Sequence, residues 1–117
     1  MKYSFFEMGN TGLLDISIED VPMKGSKESL EKLFSCDIDS SLGIIENIDL
    51  VLSGKEACIE SGTNMFLYTI TAEKAVFTCC FENYWEPFEI STKLLRELAV
   101  AWHNEFVRYY GSGEIVS

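Results

Sequence analysis

Apolar and polar positions alternate with period two near the start of the chain, the signature of strands with one buried face. Residues 3–8 and 13–18 read as two strands joined by Gly9-Asn10-Thr11-Gly12, whose glycines and asparagine suit a hairpin turn. In the second strand Leu14, Ile16 and Ile18 alternate with Asp15 and Ser17, and Pro22 follows its end. The period then changes. Ser26 stands as N-cap before a short helix carrying Leu30, Leu33 and Phe34. After a break at 37–41, Leu42, Ile45, Ile48, Asp49 and Leu52 recur at helical spacing, with Ser40 or Ser41 as cap and Gly54 as stop. This second segment is rich in Ile, so a strand is the competing reading, and helix is preferred.

The third region returns to period two. Residues 56–61 alternate weakly, whereas 65–70 and 74–81 are β-branched and aromatic and predict a hairpin turning at 71–73. Residues 82–86 form a loop and 87–90 are extended. From Thr92 to Tyr110, Leu94, Leu95, Leu98, Trp102, Phe106 and Tyr109 make one stripe of a long helix, capped by Ser91 or Thr92 and followed by Gly111. The order predicts an α+β fold: an antiparallel sheet of about five strands with two short helices and a long C-terminal helix packed on it. The 117 residues suffice for one domain, 1–117, with 111–117 as a loose tail.

Composition narrows the function. Nineteen acids against nine bases give a net charge of −10, which disfavours direct contact with nucleic acid or an anionic membrane. The excess lies mainly in the first half, with −7 over residues 1–60 and −3 over 61–117. The start lacks an apolar stretch of signal-peptide type and no segment is apolar enough to span a bilayer, so a cytoplasmic location is expected. Cys36, Cys58, Cys79 and Cys80 show no Cys-x-x-Cys spacing and read as buried free thiols of a reducing compartment.

Motifs for catalysis, metal or cofactor binding are absent. Asp37-x-Asp39-x-Ser41 imitates the start of a calcium loop, but Leu42 and Ile48 stand where the turn glycine and the bidentate glutamate belong. His103, the only histidine, falls mid-helix without a nucleophile spaced to meet it. The chain is therefore expected to be no enzyme and to need no cofactor. The positive signal is a loop, Glu82-Asn83-Tyr84-Trp85-Glu86-Pro87-Phe88-Glu89, that mixes aromatic anchors with carboxylates. Phe88 reads as core beneath the last helix, while Tyr84 and Trp85 fit either core or an interface. Candidate partner-binding residues are Glu82, Tyr84, Trp85 and Glu86, with Asp37 and Asp39 as second choice.

From about Leu50 to Tyr110 the hydrophobic pattern is similar to that of small bacterial immunity proteins and of YacL-like proteins. It comprises a helix ending Val51-Leu52-Ser53-Gly54, strands at 65–70 and 75–81, and a closing helix with Ala101-Trp102-His103-Asn104-Glu105-Phe106. Size and acidity also resemble the immunity proteins of contact-dependent growth inhibition systems. That resemblance implies a protein that binds the C-terminal toxin domain of a large effector, an RNase or DNase, and neutralises it. The alternative it carries is a YacL-like cytosolic domain that binds another protein or itself.

Overall fold

The computed structural model describes residues 2–9, 12–37, 41–81 and 84–110, and the side chain of Asp37 lies outside that description. Among these residues seven strands and three α-helices follow in order: β1 (Lys2–Glu7), β2 (Leu14–Asp20), β3 (Met23–Gly25), α1 (Lys27–Lys32), α2 (Leu42–Leu52), β4 (Cys58–Gly62), β5 (Phe66–Thr71), β6 (Lys74–Cys79), β7 (Phe88–Ser91) and α3 (Thr92–Tyr110). A π-helical turn, Leu33–Asp37, extends α1. The fold is α+β, with a five-stranded antiparallel sheet ordered β3-β7-β6-β5-β4.

The hairpin of β1 and β2 does not join that sheet but forms its own two-stranded one. The fifth strand is instead β3, three residues after Pro22 that pair with β7. Its brevity hides it from any periodicity argument, because three residues carry no period. Gly25 makes the pairing feasible: its φ is +88°, and a Cβ there would come 2.3 Å from the Pro87 carbonyl oxygen.

The inner face of the sheet carries Phe66, Tyr68, Ile70, Ala75, Phe77, Phe88 and Ile90, all buried. Phe77 and Phe88 stack with centroids 4.7 Å apart and planes 8° from parallel, a contact worth about 0.5–1.5 kcal/mol beyond area burial. Phe88 is thus core, as its place after the loop implied. Helices α2 and α3 cover this face.

Caps set the helix ends. Ser26 Oγ accepts the Ser29 N–H and Ser91 Oγ accepts the Leu94 N–H, so Ser91 rather than Thr92 caps α3. The Thr92 hydroxyl instead donates to the Thr71 carbonyl, pinning α3 to the β5–β6 turn. Farther along, Trp102 meets Phe5 and Phe34, and the Leu14 N–H donates to the Tyr110 hydroxyl. The start of α3 therefore packs on the sheet and its end on the hairpin.

Three expectations are corrected. The buried stripe of α2 is Ile44, Ile48 and Val51, leaving Leu42 53% exposed and Ile45 half-buried. Two apolar stripes run along this helix, and its docking on β5 and α3 selects the one that meets both. Ser41 does hold the N-cap position of α2, but in the left-handed region (φ +73°) and without a side-chain capping bond, and Ser40 lies outside the described residues. The four cysteines are free but not buried: Cys36, Cys58 and Cys80 are exposed and Cys79 is half-buried. On β4 the inward position belongs to Ile59, which turns Cys58 outward. Asp15, by contrast, is buried, and its carboxylate accepts the Ile16 N–H.

One ion pair links α2 to α3. Asp49 accepts from Arg96 at 2.7 Å, and this hydrogen bond holds the Asp49 carboxyl below its ordinary value. Both side chains are substantially exposed, so the pair contributes about 0.5 kcal/mol or less. Because the folded pKa is depressed, the contribution is present above the unfolded value of 3.8 and is lost as pH falls through the folded one. In Arg96→Gln, carboxyl NMR should show Asp49 titrating at its ordinary value.

Glycine replacement separates backbone strain from steric clash. Gly54→Ala, at φ +83° in open space, should cost about 1–2 kcal/mol in denaturant unfolding. Gly25→Ala carries the same strain plus the contact with Pro87 and should cost at least about 1 kcal/mol more. Equal losses would show that β3 yields freely.

Candidate functional site

The two faces of the sheet differ in what covers them. Alternation sends Leu67 and Thr69 of β5, Val76 and Thr78 of β6 and Glu60 of β4 to the side opposite the helices. Leu67 is 56% exposed there. Glu60, Ser61, Leu67, Thr69, Val76 and Thr78 line a depression of about 500 Å³ on this face. Thr78 also lines a second one of about 330 Å³, with Cys79, Trp85, Glu86 and Pro87. The shared threonine makes them one surface, running from the 84–87 loop across β6 and β5 to β4.

The loop is held by its ends. The Cys80 N–H donates to the Met65 carbonyl and the Tyr84 N–H to that of Phe81. Beyond it, the Ser26 N–H donates to the Pro87 carbonyl, and Phe88 enters the core. Tyr84 projects outward, 66% exposed, and meets the Trp85 ring edge-on at 5.2 Å. Trp85 is half-buried against the core, with its indole Nε1 buried and no acceptor for it among the described residues. Phe81, at the start of the loop, is 54% exposed.

Of the residues expected to bind a partner, Tyr84, Trp85 and Glu86 are adjacent in this loop, and Tyr84 and Glu86 are exposed. Glu82 and Asp39 lie outside the described residues. The Asp37 backbone belongs to the π-helical turn, which packs with α1 and β2. Missing from that set were Leu67, Val76, Thr78 and Glu60. A leucine at an outward position of an otherwise alternating strand was the available signal for Leu67. Nothing in the chain marks Glu60 apart from other glutamates until β4 is placed at the sheet edge.

Charge is not gathered into one region. Among the described residues four carboxylates pair with bases: Glu19 with Lys2, Glu89 with Lys74, Asp49 with Arg96, and Glu105 with Arg108. Outside those pairs, exposed acids stand on β1 (Glu7), β2 (Asp20), α1 (Glu28), α2 (Glu46), the segment before β4 (Glu56), the 71–74 turn (Glu73) and α3 (Glu97), as well as at Glu60 and Glu86. The surface from Glu60 to Glu86 is nevertheless distinct, because carboxylates stand at both ends and, among the described residues, no lysine or arginine lines it. At the β3 end of the same face, Lys24 and Lys74 line the neighbouring depression with Glu73 and Glu89.

Among the described residues no group of three His, Cys, Asp or Glu side chains is placed to hold a metal ion. No helix of the described residues is long and apolar enough to cross a membrane. Compared with family models, curated proteins and solved structures, the chain matches none.

The two tryptophans should report the site separately. Trp102 is 2% exposed and Trp85 borders the open surface. Acrylamide should quench the Trp102→Phe variant, which retains Trp85, and scarcely affect Trp85→Phe. The reverse order would place Trp85 in the core.

Proposed function

We propose that the protein is an immunity protein. It binds the C-terminal nuclease domain of a contact-dependent growth inhibition effector and neutralises it in the cytoplasm. The observation that carries this reading is the surface between Glu60 and Glu86, where Leu67 and Val76 alternate with threonines, Trp85 stands beside Glu86, a carboxylate marks each end and no described base lines it. A nuclease must present lysines and arginines to nucleic-acid phosphates. Carboxylates set around an apolar contact complement such a cleft, and the apolar part supplies the lasting contact.

Each part has its own role. Glu60 and Glu86 attract and orient the cationic partner during encounter. Trp85 and Tyr84 provide amphipathic anchors on an element tied to the core through Phe88.

Co-expression with the toxin domain encoded beside this chain should restore growth, and the purified pair should form a one-to-one complex. The double variant Glu60→Lys, Glu86→Lys should slow association about tenfold or more at low salt and flatten its salt dependence. Trp85→Ala should weaken the complex by about 2 kcal/mol, roughly 30-fold, mainly through faster dissociation. Absence of a complex at micromolar concentration would overturn the reading.

A further inference from the structure

Among the described residues strand β4 ends the sheet, paired with β5 on one side only. The Thr63 N–H donates to the Phe66 carbonyl at 2.7 Å, so these two residues form the first hydrogen-bonded pair of the hairpin. Antiparallel ladders alternate such pairs with non-bonded ones. Ser61 and Ile59 therefore bond to β5, while the N–H and C=O groups of Cys58, Glu60 and Gly62 point to the free edge. All three residues are exposed. An edge of this kind is a template for a further strand.

We infer that this edge receives an extended, basic segment of the partner, added antiparallel to β4. The choice of occupant rests on the reading of a cationic protein partner, and the residues of β4 make it specific. The side chain opposite Glu60 faces a carboxylate and is best met by lysine or arginine. The position opposite Gly62 meets no side chain there and lies beside Leu67, whose Cδ2 is 3.2 Å from where a Gly62 Cβ would stand. An apolar residue suits that position. The complementary strand thus reads apolar, any residue, basic, in chain order.

Charge argues against a second copy in this place. The two-fold pairing centred on Glu60 sets that carboxylate against its own symmetry mate, moving the centre to Cys58 sets it against Glu56, and in the registers centred on Ile59 or Ser61, where it faces Cys58 or Gly62, the net charge of the two copies alone opposes pairing. Like charges directly opposite destabilise a strand pair, and each copy brings a net charge of −10.

The test uses the whole protein and the peptide acetyl-Thr-Val-Thr-Lys-Thr-amide, with its Lys-to-Glu counterpart as control. Millimolar lysine peptide should shift the backbone amide NMR signals of Cys58, Glu60 and Gly62 more than those of Ile59 and Ser61, and the glutamate peptide should not. In Glu60→Lys the preference should reverse. Cys58→Pro removes an edge N–H while leaving the β5 ladder whole, and should weaken the peptide about fivefold with an unchanged circular dichroism spectrum. Shifts confined to the 84–87 loop, equal shifts with both peptides, or no shift at all would overturn the inference. So would concentration-dependent shifts of the three amides without peptide, which would identify a second copy as the occupant. A toxin domain that binds without moving these amides refutes the edge and leaves the immunity reading intact. A peptide that binds the edge while the toxin domain binds nowhere has the opposite meaning.

Discussion

The packing of one aromatic row against two helices governs everything else in this molecule. Phe66, Tyr68, Phe77 and Phe88 occupy inward positions on three neighbouring strands, and the Tyr68 and Phe88 rings lie within contact of Phe77. Filling that row with rings fixes the register of β5, β6 and β7 together, since a slip of one residue would turn each ring outward. The same alternation then dictates the opposite face without further instruction: Leu67, Thr69, Val76 and Thr78 have nowhere else to go. The open surface is a by-product of the closed one. Phe88 extends this control to the 84–87 loop, because the loop must deliver that ring to Phe77 and so cannot wander from β6.

Most elements were legible because each carries its own period. The stripe from Leu94 to Tyr109 and the Ser91 cap define α3 within the chain alone, and the β5–β6 hairpin is equally explicit. What sequence leaves open is which of two surfaces an element buries, as α2 shows: the Leu42, Ile45 and Leu52 stripe is as apolar as the Ile44, Ile48 and Val51 stripe that docks. Strand β3 escaped for a different reason, since its existence depends on the backbone fit of Gly25 to Pro87 rather than on any side-chain pattern. The thiols were misplaced by applying a residue-type preference where alternation had already assigned the inward position to a neighbour. For the candidate site, the loop could be seen in Tyr84-Trp85-Glu86, whereas its continuation onto Leu67 and Glu60 required knowing which strands are neighbours and which is last.

Net charge is a poorer guide than it first looks. At physiological ionic strength screening acts over about 8 Å, so carboxylates on α1, α2 and α3 contribute little to events at the sheet's outer face. A total of −10 raises the encounter rate with any cation and discriminates among none. Local asymmetry is what can discriminate. The Lys24 and Lys74 end of the outer face is mixed in sign, and the Glu60 to Glu86 end is not. A cationic protein approaching this face meets attraction at one end and partial repulsion at the other, which orients it before any apolar contact forms.

An open strand edge and an acidic apolar surface solve different halves of one recognition problem. Backbone pairing along β4 is strong but indifferent to sequence, and by itself would recruit any exposed strand, copies of this chain included. Carboxylates alone recruit any cation and release it as readily. In the proposed complex each limits the other's fault: Glu60 penalises the self-pairing registers that set it against itself or Glu56, and the edge demands extended geometry from partners that the charge attracts. The glycine at position 62 adds a third condition, because an incoming apolar side chain finds Leu67 there and a bulky polar one leaves that contact unmade. On the proposed reading, specificity arises from three weak filters applied to the same few residues. Such a device needs no preformed cavity, and the two depressions between Glu60 and Glu86 are open parts of one exposed sheet face.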